Sequence, residues 1–287
     1  MPARSGPSEE PILILPPFID AGWLHAHRHE VVVADVRWRL VGPSGRGEFE
    51  AGHIPGSVFV DLDTQLSSIT TPGEGRHPLP APDEFARVMG QLGVGDGDAV
   101  VAVDDAGGIF AARLAWMLRV IGRDATVLDG GIAAWGADLE TGAGTLRPPA
   151  SFTPVPWPAD ALATIDEACD RDRLVVDVRA RERYRGDEEP IDARPGHIPG
   201  AVNAPFADSI GDDGRLRPAA ELRAAFAHVG ITDATGAIAY CGSGVNACHQ
   251  LLAMEHAGLG RGRLFPGSWS AYSHHPALPA ARGDSPG

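Results

Sequence analysis

Cys241 follows the apolar run AIAY and opens the segment Cys241-Gly242-Ser243-Gly244-Val245-Asn246. A cysteine between a strand end and a helix start is a candidate nucleophile. Glycine at two of the next three positions lets backbone N–H groups turn inward as an anion nest, and the helix N-terminus adds its dipole. Both favour thiolate over thiol, so the spacing predicts a reactive sulfur. The same spacing disfavours neighbouring chemistries. A cysteine phosphatase needs an arginine six positions on to clamp phosphate, and Ala247 stands there. A thioredoxin-like C-x-x-C is absent. His249 is spaced to point away from the sulfur and is expected at the surface, so no Cys–His protease pair is expected. Cys248 should pack inside the helix and Cys169 in a helix before a strand, neither with a chemical role.

The elements that position Cys241 occur twice along the chain. VVVADVR (31–37) returns as LVVDVR (174–179), and EAGHIPGSVFVD (50–61) as RPGHIPGAVNAP (194–205). LDGGIAAW (128–135) returns as FPGSWSAY (265–272). Asp104 stands 137 positions before Cys241, in the place of the sulfur. Ordered matches at a nearly constant offset mark a duplicated unit. Each copy alternates short β-branched strands (31–36, 99–103 and 125–128; 174–178, 237–240 and 263–265) with helices (19–28, 83–92 and 109–121; about 160–170, 219–229 and 245–257). That pattern predicts α/β architecture, a small parallel sheet with helices on both faces in each unit. The Gly/Pro-rich stretch 141–160 reads as the linker, and the expected division is 1–145 and 146–287. Ligands in such sheets bind at strand carboxyl ends, where Cys241 lies. His53 and His197 occur in both GHIPG turns and are expected to brace backbone, as is Asp61. VDDAGGIFA, which holds Asp104, lacks the nest spacing, and that copy is expected to be inactive.

Composition narrows the partners. The 287 residues carry a net charge of −14, and all 24 basic residues are arginine. An acidic surface repels phosphate backbones, so nucleic acid is not expected. Without lysine, Schiff-base and P-loop chemistry are excluded. Three widely spaced cysteines suit neither a disulfide framework nor a zinc site and point to a reducing, cytoplasmic setting. The N-terminus does not read as a signal peptide, and no apolar run is long enough to cross a membrane.

The doubled DVR…GHIPG signatures, the CGSGVNA loop and the late PGSW resemble the tandem-domain rhodanese family over residues 18–275. The resemblance implies two rhodanese-like domains and a sulfurtransferase that carries sulfane sulfur as a Cys241 persulfide. No metal or organic cofactor is implied. Thiosulfate enzymes of the family carry Arg and Lys after the cysteine, whereas 3-mercaptopyruvate enzymes carry CG-[SA]-GV-[TS]-A. This loop is similar to the second kind, with Asn246 departing from Thr or Ser. The implied route takes sulfur from 3-mercaptopyruvate, releases pyruvate and delivers sulfur to a thiol, a thioredoxin-like protein or cyanide. Thiosulfate as main donor, or a persulfide carrier module, are the alternatives. By resemblance Ser243, His77 and Asp63 form a relay that reaches in from the first unit. Arg183 matches a carboxylate-binding arginine. The second family arginine is missing, with Ile191 in its place and Arg194 expected to substitute. Gly242, Gly244, Val245 and Asn246 complete the expected substrate contacts, and the tandem pair suggests a monomer.

Overall fold

The computed structural model describes residues 15–71 and 73–287. The N-terminal stretch read as no signal peptide lies largely outside these residues. The first unit runs β1 (Phe18–Ile19), α1 (Ala21–His27), β2 (Val31–Asp35), α2 (Gly45–Ala51), β3 (Val58–Phe59), α3 (Leu62–Gln65), α4 (Pro82–Gln91), β4 (Ala99–Val103), α5 (Ala111–Val120), β5 (Ala125–Leu128) and α6 (Gly131–Trp135). The second runs α7 (Ile165–Ala168), β6 (Val175–Asp177), α8 (Arg181–Arg185), β7 (Val202–Asn203), a 3-10 turn (Phe206–Ser209), α9 (Ala219–His228), β8 (Ile238–Tyr240), α10 (Asn246–His256), β9 (Arg263–Leu264) and α11 (Ser268–Tyr272). Strand order is β1-β5-β4-β2-β3 in the first sheet and β7-β6-β8-β9 in the second, all parallel. The counterpart of β1 survives in the second unit as a single parallel bridge, Leu162 to Leu264.

Alternate residues of the buried strands serve opposite faces. Val32, Ala34, Val100 and Ala102 join one core, which continues into the second unit through Val176, Ala239 and Cys241. Val31, Val33, Val101 and Val103 face a core confined to the first unit, and Val175, Ile238 and Tyr240 one confined to the second. The period of two therefore points Cys241 towards the junction of the units, where α5 packs on α10.

The repeated sequence signatures are one device built twice. Arg37 pairs with the buried carboxylate of Asp35 and donates to Gly52 O at 2.7 Å; Arg179 pairs with Asp177 and donates to Gly196 O at 2.6 Å. His53 and His197 follow those carbonyls. Each is fully buried, bonds a backbone carbonyl (Phe49 O at 2.8 Å, Tyr184 O at 2.7 Å) and stacks on the ring of the same residue. Both histidines brace backbone, and Asp61 caps α3.

Residues 141–160 contain almost no helix or strand, as expected of a linker, yet they do not hang free. Ala150 N–H donates to Gly90 O, Asp96 accepts from Thr153, Phe152 packs on Phe85 and Trp157 Nε1 donates to Pro80 O. The chain thus stays on the first unit to residue 157, past the division expected at 145.

Candidate active site

Cys241 leaves β8 and its Sγ accepts the N–H of Gly244 at 3.1 Å. The sulfur-bearing turn is stitched to the start of α11. Cys241 N–H donates to Ser268 Oγ, Trp269 N–H to Cys241 O and Ser270 N–H to Gly242 O, at 3.2, 3.0 and 2.8 Å. Ser268 holds φ +51°, a left-handed conformation that costs energy for a side-chain-bearing residue. Gly244 has φ +81° and a Cβ there would lie 2.6 Å from Pro266 O, so the turn requires glycine. Val245 caps α10 and Asn246 opens it, which puts the helix N-terminus beside the sulfur.

Arg183 reaches this turn from α8. Its Nη2 bonds Glu189 Oε1 at 2.7 Å and Asp192 Oδ2 at 2.8 Å, while Nη1 lies 3.4 Å from where a Cβ on Gly242 would sit. Arg76, from the loop before His77, brings its Nη2 within 2.7 Å of that point. At Gly242 glycine therefore leaves room for two guanidiniums. Burial pushes the Glu189 carboxyl up, but Arg183 and the N–H groups of Ile191 and Asp192 hold it below its ordinary value. The Asp192 carboxyl, more deeply buried, ends above its ordinary value despite both arginines.

His77 Nε2 and Asp63 Oδ1 are 3.1 Å apart, and Trp38 Nε1 donates to Asp63 Oδ2 at 2.8 Å. Burial lowers the His77 pKa against the pull of Asp63, so the ring favours its neutral form. Its Nδ1 is buried and has no partner among the described residues. Asp63 and His77 are thus brought together. No hydrogen bond among the described residues joins His77 to Ser243. A tie at backbone level links the two loops instead: Arg113 of α5, fully buried, donates to Gly244 O at 3.1 Å and His77 O at 3.0 Å.

Three expectations need correction, and two residues of the site were not foreseen. Arg194 does not turn to the loop: it donates to the carbonyls of Leu278, Tyr272 and His275 and lies over the rings of Trp269 and Tyr272, clasping the C-terminal segment. His249 is not at the surface; the second unit's helix is covered by the first, and its ring meets Phe18 edge-on at 5.5 Å. Arg76 and Arg113 were not expected. Arg113 left one signal, a lone charge in the apolar run AARLAWML. The Asp104 turn, finally, is an anion nest after all, with the N–H groups of Ala106, Gly108, Phe110 and Ala111 donating to its own carboxylate at 2.8–3.0 Å.

A model of the rhodanese-like domain matches residues 20–138 and again 158–275. A Pseudomonas aeruginosa protein named "Probable 3-mercaptopyruvate sulfurtransferase" is 42% identical over 269 residues, 89% of this chain and 93% of that one. A Mycobacterium tuberculosis protein named "Putative thiosulfate sulfurtransferase SseB" is 38% identical over 262 residues, 88% of this chain and 91% of that one. The solved structure of a 3-mercaptopyruvate sulfurtransferase from Leishmania major superposes with a TM-score of 0.82 at 31% identity, over 92% of this chain and 75% of that one.

Proposed function

The chain belongs to the rhodanese family, and from that premise we propose that it takes sulfur from 3-mercaptopyruvate and passes it on through a persulfide on Cys241. The observation that carries this reading is the pairing of a nest-held sulfur with a guanidinium of Arg183 turned to the same loop. A planar guanidinium suits a carboxylate remote from the reacting sulfur. The Cys241 thiolate attacks the donor sulfur, an S–S bond forms and the C–S bond breaks. The electron pair leaves on carbon as the enolate of pyruvate, which is then protonated. A thiol, or cyanide, attacks the outer sulfur and regenerates the thiolate. In this reading the Ser243 hydroxyl polarises the donor carbonyl, and the His77–Asp63 pair, 3.1 Å apart, serves it as a proton relay once donor is bound. In the same reading the backbone N–H groups of Gly242, Gly244, Val245 and Asn246 serve the donor, as that of Gly244 serves the sulfur.

The unit boundary is best set after Trp157, where the chain leaves the first unit. The two repeats already cover one face of each other, which supports a monomer, and three free cysteines suit a reducing compartment such as the cytoplasm. No helix among the described residues is long and apolar enough to cross a membrane. Thiosulfate is the second reading, favoured by the name of the Mycobacterium tuberculosis relative. Mass spectrometry after each donor decides between them. A gain of one sulfur on Cys241 with stoichiometric pyruvate supports 3-mercaptopyruvate; a gain from thiosulfate alone overturns it.

A further inference from the structure

We propose that Arg76, supplied by the first repeat, is a second substrate-binding arginine, and that Asp192 yokes it to Arg183 so that the two guanidiniums grip one carboxylate beside Gly242. This rests on the reading of a carboxylate-bearing donor. Arg183 spends Nη2 on Glu189 and Asp192, both almost wholly buried, and keeps Nη1 for the loop. Arg76 spends Nη1 on the other oxygen of Asp192 and keeps Nη2 for the loop. One carboxylate thus takes one nitrogen from each arginine and leaves the other nitrogen of each facing Gly242. Two donors on separate planar forks match the two oxygens of a carboxylate. No other acid pairs with Arg76 among the described residues, so Asp192 alone fixes its direction.

The backbone of Arg76 is fixed as firmly. Its N–H donates to Ser270 Oγ at 3.1 Å, across the junction of the units. The preceding Gly75 has φ +99°, and a Cβ there would lie 2.7 Å from Gly267 O. The 75–76 turn is therefore seated on the same 267–270 stretch that holds the Cys241 loop. Gly242 completes the arrangement, since a Cβ there would lie 2.7 Å from Arg76 Nη2 and would push that guanidinium out of its present position. A cation absent from the CGSGVNA loop itself thus reaches it from the other repeat, and the site is complete only when the two units are docked.

The experiment measures KM for 3-mercaptopyruvate, and the pyruvate concentration that half-protects Cys241 from alkylation by iodoacetamide, in the full chain. Arg76→Ala should raise both about ten- to a hundredfold, the loss expected for one charge-assisted bond. The KM of the carboxylate-free analogue 1-mercaptopropan-2-one should not change. Arg76→Lys should recover part of the loss, which a merely misfolded loop would not show. Asp192→Asn should weaken donor binding several-fold with Arg76 present and clearly less in the Arg76→Ala background, where only its bond to Arg183 is left to lose. If Arg183→Ala shows the loss and Arg76→Ala does not, the inference fails and the donor reading stands. A tighter fit of donor in Asp192→Asn also overturns it, because Asp192 would then compete with the donor. If the wild-type chain neither releases pyruvate nor is protected by it, the donor reading itself falls and takes the inference with it.

Discussion

In the first unit the turn after β4 closes on a carboxylate; in the second the equivalent turn after β8 closes on a sulfur. Asp104 accepts four backbone N–H bonds, Cys241 accepts one. The donors to Asp104 belong to residues 106, 108, 110 and 111, whose counterparts 137 positions on are Ser243, Val245, Ala247 and Cys248. A carboxylate carries its oxygens two bonds beyond Cβ, and a persulfide carries its outer sulfur equally far. Asp104 therefore displays in permanent form what the Cys241 turn does transiently when charged with sulfur. Burial pushes the Asp104 carboxyl up while its N–H donors pull it down, and four partners that are all donors fit the ionised form. The first turn spends its nest on its own side chain and has nothing left for a ligand.

Converting one turn into the other breaks the comparison most sharply. Cys241→Asp should abolish sulfur transfer while leaving a folded chain, because a carboxylate fills the nest but cannot accept sulfane sulfur. A donor assay beside a melting curve checks both halves. By contrast, Cys169→Ala and Cys248→Ala should keep most activity. Cys248 is buried with its thiol pushed up to about 12, so it offers no thiolate at neutral pH; a collapse in that variant would make it a resolving thiol.

Emptying the first turn is the next largest effect. Asp104→Ala strands four N–H groups, two of them (Gly108 and Ala111) buried, and a buried one costs about 1–3 kcal/mol if left unpaired. Water entering the vacated space recovers part of that, so a net loss of about 3 kcal/mol is expected, read from the denaturant midpoint. Activity should fall less than stability. A loss below about 1 kcal/mol would mean the nest is not held together by its carboxylate.

Position 249 offers a third contrast, because its counterpart in the first unit is Ala112. His249 is fully buried, neither ring nitrogen makes a well-formed hydrogen bond among the described residues, and burial, opposed only by the nearby Gly107 backbone, pushes its pKa down to about 4. A histidine whose folded pKa is depressed contributes stability above its unfolded pKa near 6.5 and loses it as pH falls. The window is therefore about 6.5 down to 4, and the loss across it is roughly 3 kcal/mol at 1.36 kcal/mol per pH unit. His249→Leu should flatten that part of the stability curve relative to wild type. An unchanged slope between pH 6 and 4 would show that the ring finds a proton acceptor when charged.

These contrasts also mark what the sequence discloses. Cys241 was legible because strand run, glycines and helix start are contiguous, and contiguous signals need no tertiary knowledge. The doubled signatures disclosed two parallel sheets, and the Asp-x-Arg pairs explain why the repetition is so strict. Arg76 was not legible: it meets Asp192, 116 positions away, across the junction of the units. His249 was misread because helical spacing tells which face a residue occupies but not what covers that face. Arg194 was misread because carbonyls of a distant C-terminal segment claim its donors. The Asp104 nest was missed because its glycines are adjacent, Gly107 and Gly108, both at positive φ, rather than spaced like Gly242 and Gly244.

The smallest effect concerns the hydroxyl at Ser243, whose counterpart in the first unit is Ala106. Ser243→Ala changes no backbone donor, so it makes the second turn resemble the first, where Ala106 N–H donates to Asp104, and leaves the Gly244 N–H on the sulfur. The persulfide should form and hold as before. What disappears is the hydroxyl that the proposed mechanism sets beside the donor carbonyl, and with it the proposed link to the Asp63–His77 pair. Turnover of 3-mercaptopyruvate should slow about tenfold, or 1.4 kcal/mol in the barrier, with KM nearly constant, because the hydroxyl acts on charge that develops as the C–S bond breaks. Thiosulfate has no carbonyl to polarise, so its turnover should barely change. The ratio of the two rates in one variant is thus the reading, and it is insensitive to enzyme lost in preparation. If both donors slow equally, the hydroxyl supports the turn in general, as Ser268 does from the other side, and the case for a carbonyl-bearing donor loses its support in the loop.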